Sequence, residues 1–276
     1  MKHINHLTTS IQAAVDAGKA ILDIYKTDFA VDYKDDQSPL TLADQKAHDI
    51  ISARLKAFDI PLLSEEGKTI PYAMRQQWNT LWIVDPLDGT KEFVKRNGEF
   101  TVNIALVTDG SPILGVVFAP VREVLYFALQ GIGANKIDGQ DAVAALCEHL
   151  SRGGLNDDDL AGQGMALPLE RPRDMPYTIV GSRSHSTEAL EEFVAQKRSE
   201  FGTIDFIPAG SSLKLCLVAE GRADIYPRLA PTMEWDTAAG HAVVTSAGAR
   251  IYNHSSDEPL CYNKEDLLNP WFVVER

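Results

Sequence analysis

Cysteine is scarce in this 276-residue sequence, which holds three widely spaced residues, Cys147, Cys216 and Cys261. An odd count without a CxxC pair excludes a disulfide framework and a thiolate metal cage, and it predicts buried or half-buried thiols in a reducing cytoplasm. Positive charge is also short: Lys plus Arg total 26 against 39 for Asp plus Glu, a formal balance of −13. That balance argues against a nucleic-acid polymer or an anionic membrane surface as a partner, because both recruit basic side chains. No uncharged apolar run approaches the roughly 18 residues of a membrane helix. The opening MKHINHLTTS lacks the apolar stretch and small-residue cleavage site of a signal peptide. Internal repeats and low-complexity segments are missing too. What remains is ordinary for a globular chain, 45% hydrophobic, 8% aromatic and 24% charged, and long enough to predict two domains or one large layered one.

Helical periodicity opens the chain. Ile4, Leu7, Ile11, Val15, Leu22 and Tyr25 share one stripe, with Gly18 in register. A glycine there weakens the helix but lets a neighbouring element come close. After the turn-rich KDDQSPL, a second pattern from about Thr41 runs Asp44, His48, Ile51, Leu55, Phe58. Asp44 thus falls on the inward stripe, where a carboxylate needs a cation or several donors; the alternative is a frayed first turn in which it favours the helix dipole. LWIV (81–84) reads as a buried strand that stops at Asp85-Pro86. Strands follow over 100–107, 113–118 and 124–128, with an Asp109-Gly110 turn between the first two. Gly131 and Gly133 close this antiparallel meander and mark the predicted boundary between a metal-binding α+β half, 1–133, and an α/β half, 134–276. Residues 134 to about 175 read as a short helix and a variable loop. Beyond them helix and strand alternate: a strand at 177–180, a Gly210-Ser211-Ser212 turn into a helix ending near Gly221, a strand at 224–226, a helix from about Asp236 to Gly248 and a strand at 249–252.

Asp85-Pro86-Leu87-Asp88-Gly89-Thr90 carries the chemistry. Two carboxylates leave a strand end with a stiffening proline between them, and they and the Leu87 carbonyl can converge on a hard cation. The free N–H groups of Gly89 and Thr90 would seat a phosphate beside it. The bland reading is an Asp-Pro turn followed by an Asp-Gly turn. Aspartyl phosphatases of the haloacid dehalogenase type space their carboxylates by two, whereas the spacing here is three. Glu65-Glu66 after the apolar Leu62-Leu63 places one carboxylate inward, or else forms a solvated acidic turn. Asp236 after Trp235 reads first as a helix N-cap.

Together, Ser64-Glu65-Glu66, the 85–90 segment and Trp235-Asp236-Thr237-Ala238-Ala239-Gly240 resemble the inositol monophosphatase superfamily of Mg²⁺-dependent, Li⁺-sensitive phosphatases. Within it, DPLDGTKEFVKRNGEFTVNIALV, GSRSHS and GSSLKLCLVAEGRADIYPR are similar to the CysQ-type 3′(2′),5′-bisphosphate nucleotidases. The resemblance spans the chain in order, leaving about 134–175 unmatched. It implies an α+β fold, the layered αβαβα sandwich of the inositol monophosphatase/fructose-bisphosphatase type. It also implies a cytoplasmic hydrolase of sulfur metabolism, monomer or homodimer, with peripheral association at the inner face of the membrane left open. The implied reaction removes the 3′-phosphate of 3′-phosphoadenosine 5′-phosphate, giving AMP and phosphate by direct attack of a metal-activated water.

By the same resemblance, Glu65, Asp85, the Leu87 carbonyl, Asp88 and Asp236 hold two or three Mg²⁺ ions, with Li⁺ and Ca²⁺ as inhibitors. Asp44 holds a metal-bound water and Thr90 orients the attacking one. Substrate contacts fall on Glu65, Gly89, Thr90, His185, Ser211, Lys214, Arg228 and Asp236. Lys214 and Arg228 suit a second phosphate, which separates this reading from an inositol or sugar monophosphatase and from a non-catalytic nucleotide sensor. The metals offset the local acidic charge, so the overall −13 does not forbid an anionic substrate. Asn135-Lys136 departs from the family pattern, which often has an aromatic or other bulky residue there.

Overall fold

The computed structural model describes every residue except 1–2, 28–30, 34–38, 154–158, 160–161, 173 and 183–186. Helix α1 (Ile4–Tyr25) buries the predicted stripe as far as Gly18, but near its end Ile21 is buried while Leu22 and Tyr25 are only half-buried. Gly18 acts as expected: a Cβ there would lie 2.5 Å from the Phe118 ring, so the helix rests directly on the sheet below. Strands β1 (Val31–Tyr33) and β2 (Pro39–Thr41) form an antiparallel pair leading into α2 (Leu42–Leu55). Helix α2 turns Ala43, Asp44, Ala47, Ile51 and Leu55 inward.

The first sheet takes β3 (Leu62–Ser64), β4 (Thr80–Asp88), β5 (Thr101–Thr108), β6 (Ser111–Ala119), β7 (Val124–Leu129), β8 (Gly133–Asp138) and β9 (Met165–Ala166), in that order. Here α3 (Tyr72–Arg75) precedes β4, α4 (Thr90–Val94) follows it, and α5 (Gln140–Ser151) follows β8. Only β3 and β4 pair in parallel among the described strands of this sheet. Pairing continues past the predicted boundary at residue 133, because β8 pairs with β7 from Leu129↔Gly133 to Val124↔Asp138. The chain therefore leaves the first sheet later than its Gly131 and Gly133 turns imply.

The second sheet is built from β10 (Tyr177–Ser182), β11 (Ile204–Ala209), β12 (Ile225–Arg228), β13 (Arg250–Asn253) and β14 (Phe272–Glu275), ordered β11-β10-β12-β14-β13. Its connections include α6 (Glu188–Phe201), α7 (Leu213–Glu220) and α8 (Glu234–Ser246). Three apolar cores define the layers. One lies between α1, α2 and the first sheet, one between the two sheets around α7 and α8, and a small one between the second sheet and α6. The expected αβαβα order is the observed one. Close approach at glycines sets the middle layer. A Cβ on Gly115 of β6 would meet the Ala239 carbonyl at 2.2 Å, and one on Gly240 would meet Leu215 at 2.9 Å. These contacts press α8 against both the first sheet and α7.

Candidate metal and phosphate site

Residues i and i+3 of a regular strand point to opposite faces. Asp85 and Asp88 escape that rule because the β4–β5 pairing slips between them: Asp85 opposes Asn103 while Asp88 opposes Thr101. One extra residue on β4 brings both carboxylates to the face carrying Asn103 and Thr101. Pro86 lies inside the slip, where a missing N–H costs no ladder bond. Asp85 is buried, and its Oδ1 accepts the Leu87 N–H at 3.0 Å. Leu87 is buried as well, and its carbonyl accepts the Thr90 hydroxyl at 3.4 Å.

The third carboxylate arrives from the middle layer. Asp236 is not the N-cap predicted from Trp235-Asp236, since α8 begins two residues earlier, at Glu234. From the first turn Asp236 Oδ2 reaches back to accept the Met233 N–H at 2.8 Å, so it caps the helix from inside it. Asp85, Asp88 and Asp236 each offer an oxygen within 4.8 Å of the others. Three carboxylates that close repel one another. Burial, then Glu65, Asp88, Asp236 and Asp44, holds the Asp85 carboxyl well above the usual range. Burial and the Asp88 charge push Asp236 up to about 8. An all-oxygen, like-charged group of this kind fits a hard divalent cation, whose charge would relieve the repulsion.

The other predicted ligands sit around this group. Glu65 is outside the 4.8 Å set, but its N–H donates to the Val84 carbonyl at 3.2 Å and its charge acts on Asp85 and Asp236. Asp44, fully buried in the first turn of α2, acts on Asp85 in the same sense. The inward reading of Asp44 holds, and the frayed-turn alternative falls.

A second set of residues, unseen in the sequence pattern, holds Asp88. Its Oδ2 accepts the Ser212 N–H at 2.6 Å and the Asn103 side-chain amide at 3.4 Å. Ser212 donates its hydroxyl to Asn103 Oδ1 at 2.7 Å and in turn accepts from Thr101 at 2.8 Å. The signal was present in the alternation of residues 101–107, which puts Thr101 and Asn103 on the face opposite Val102 and Ile104, but reading it required the β4–β5 register.

Beside the cluster opens a cleft of about 130 Å³, walled by Asp88, Gly89, Ser211, Lys214, Arg228 and Asp236 among others. Leu87 and Thr90 lie outside the lining set. Lys214 is buried beside the Tyr226 ring, and its ammonium, 2.5 Å from the Ser211 carbonyl, is brought down to about 8, mainly by burial and against the pull of Asp88. Arg228 donates to the Pro231 carbonyl at 2.7 Å. Ser211, at a φ of +44°, keeps a buried hydroxyl that no described residue engages, and the same is true of Arg228 Nε. His185 lies outside the described residues.

Residues 4–271 match the inositol monophosphatase family. The chain is 42% identical over 267 residues to the 3′(2′),5′-bisphosphate nucleotidase CysQ of Salmonella typhimurium, covering 95% of this chain and 96% of that one. It is 43% identical over 268 residues to its Escherichia coli K12 counterpart, with the same coverage. Among solved structures, CysQ from Bacteroides thetaiotaomicron superposes with a TM-score of 0.86 at 50% identity, over 98% of this chain and 97% of that one. SuhB from Bartonella henselae, 24% identical with a TM-score of 0.71 over 97% and 92%, shares the fold.

Proposed function

The chain belongs to the inositol monophosphatase family, and on that footing we propose that it is a metal-dependent 3′(2′),5′-bisphosphate nucleotidase, releasing the 3′-phosphate of 3′-phosphoadenosine 5′-phosphate as inorganic phosphate and leaving AMP. One observation carries the choice of substrate. The cleft that starts at the carboxylate cluster is walled further on by Lys214, Arg228 and Ser211, two cations and an unengaged hydroxyl. A monophosphate ester has no second group for them to bind. The placement suits one phosphate at the cluster and another at the basic wall.

In this reading Glu65, Asp85, the Leu87 carbonyl, Asp88 and Asp236 hold Mg²⁺, two or three ions, with Li⁺ and Ca²⁺ as competitors. Bound there, the cations would polarise the phosphoryl oxygens and lower the pKa of a water. The chain's own groups do the rest. Thr90 Oγ1, its proton turned to the Leu87 carbonyl, leaves a lone pair to orient the attacking water. Asp44, fully buried in the first turn of α2, holds a metal-bound water and with Thr90 fixes the attacking one. Ser212 N–H and Asn103 keep Asp88 from swinging away, so the in-line geometry is set before the substrate arrives. Lys214, Arg228, Ser211 and Gly89 hold the substrate, and His185 is proposed to stand near the base. No described helix is long and apolar enough to cross a membrane, and we place the enzyme in the cytoplasm as a monomer or homodimer.

The test is kcat/KM for phosphate release from 3′-phosphoadenosine 5′-phosphate against inositol 1-phosphate, with and without Mg²⁺. We expect at least a tenfold preference for the bisphosphate. Preference for inositol 1-phosphate would overturn the substrate assignment, and binding of the nucleotide without phosphate release would make the protein a sensor.

A further inference from the structure

One acidic residue in the cleft has no place in the scheme above. Glu92 projects from α4, whose Phe93 is fully buried and packs on Phe100 and Tyr25, with ring centroids at 5.1 and 5.0 Å. This short helix is anchored, so Glu92 is presented from a firm base. It lines the same cleft as Asp88, Lys214 and Arg228. Two glycines leave room for it. A Cβ on Gly89 would come within 3.4 Å of Glu92 Oε2, and a Cβ on Gly210 within 3.2 Å of its Cγ. The side chain thus lies between the loop that follows Asp88 and the loop that precedes Lys214, and its charge acts on both of those residues. Glu92 is itself half-buried.

A carboxylate at that spot opposes any phosphate that enters. A ligand that brings a hydrogen-bond donor to it would turn that opposition into a contact, because a carboxylate can accept but not donate. Building on the nucleotidase reading, the substrate carries a donor beside its scissile phosphate: the ribose 2′-hydroxyl, vicinal to the 3′-phosphate and so within reach of a side chain that lies over Gly89, the residue after Asp88. With one phosphate at the Asp85–Asp88–Asp236 group and the other at Lys214 and Arg228, the sugar spans the wall that Glu92 occupies. We propose that Glu92 is a specificity-determining residue that accepts a hydrogen bond from the ribose hydroxyl vicinal to the scissile phosphate and so selects ribonucleotide over 2′-deoxyribonucleotide bisphosphates. Selection works in two directions. The ribo substrate gains a charge-assisted hydrogen bond, while the deoxy analogue leaves the carboxylate facing phosphates with nothing to accept.

The experiment compares kcat/KM for adenosine 3′,5′-bisphosphate and 2′-deoxyadenosine 3′,5′-bisphosphate in the Mg²⁺-loaded wild type, E92Q and E92A, with thermal melting to confirm that the variants fold. The wild type should favour the ribo substrate at least tenfold, and E92A should bring the ratio to within about twofold of unity, partly by improving the deoxy substrate. E92Q keeps an acceptor oxygen and should fall between. An unchanged ratio in E92A, or a wild type indifferent to the 2′-hydroxyl, overturns the assignment while leaving the nucleotidase reading intact. Failure of the wild type to hydrolyse either bisphosphate overturns both.

Discussion

Two polar clusters stand near opposite ends of α7, and they solve the problem of buried charge in opposite ways. Near its start, Asp85, Asp88 and Asp236 crowd within 4.8 Å and are left above their ordinary range. At its end, Glu220 is 1% exposed, and its Oε1 accepts from Lys136 Nζ at 3.0 Å and from the Tyr126 hydroxyl, while Lys136 also meets Asp138 at 3.1 Å. The second cluster carries its own cation. The first brings carboxylates together and finds only part of its compensation within the chain, from Lys214 at Asp88 and Asp236 and from Arg228 at Asp236. Charge that the fold neutralises internally is architecture, and charge it leaves unresolved is a place for a ligand.

The comparison can be broken most directly at Asp85. D85N should cut phosphate release about a thousandfold, because several kcal/mol of charge stabilisation depends on the ions it would hold. The same variant should leave the metal-free protein as stable as before, since it removes repulsion. Retained activity would take Asp85 out of the site. Glu220→Ala should do the reverse. With Lys136 left without its buried partner, urea unfolding should show a loss of about 3–5 kcal/mol, with kcat in Mg²⁺ changed far less than by D85N. A catalytic loss as large as that of D85N, without a loss of stability, would erase the distinction.

Lys214→Ala sits between the extremes. It should raise KM for the bisphosphate by roughly tenfold, the scale of one charged hydrogen bond at about 1.5 kcal/mol, with a smaller effect on a monophosphate ester. Equal effects would remove its role in choosing the substrate. The smallest expected effect is on pH. Asp236 moves from an ordinary 3.8 to about 8 in the folded, metal-free protein. Between those values the native state binds the extra proton, so metal-free stability should fall as pH rises from about 4 to about 8. Mg²⁺ removes that penalty, and its effect on Tm should be several degrees larger at pH 8 than at pH 5. A larger effect at pH 5 would contradict the mutual repulsion of the three carboxylates.

Much of the site was readable along the chain where its geometry is local. Helical spacing put Asp44 on the inward stripe but left a frayed first turn as the alternative, and the residue is fully buried. Asp85 and Asp88 announced themselves by a strand that ends in Asp-Pro, although their shared face depends on a register slip that no residue count reveals. Ser212 was less accessible. Its contribution to Asp88 is a backbone N–H, and any residue but proline has one. Lys136 shows the same limit. In sequence it is a departure from the family pattern, and in space it is the cation that neutralises Glu220 on a helix contributed by a remote segment. The predicted N-cap at Asp236 missed by a few residues because the cap and the possible ligand are the same carboxylate.

Residue order by itself determined the helical faces, the strand that ends at Asp85, the acidic and basic groups available, and the family to which they belong. Those properties are local, set by side-chain period and backbone stiffness over a few residues. The mutual distance of Asp85, Asp88 and Asp236, the cleft that Asp88 and Asp236 share with Lys214 and Arg228, and the division between a self-neutralised and a ligand-seeking charge cluster were decided only by tertiary structure. Strand register and the close packing of α8 at Gly115 and Gly240 set where groups far apart in the chain come to rest, and Coulomb interactions depend on that separation alone.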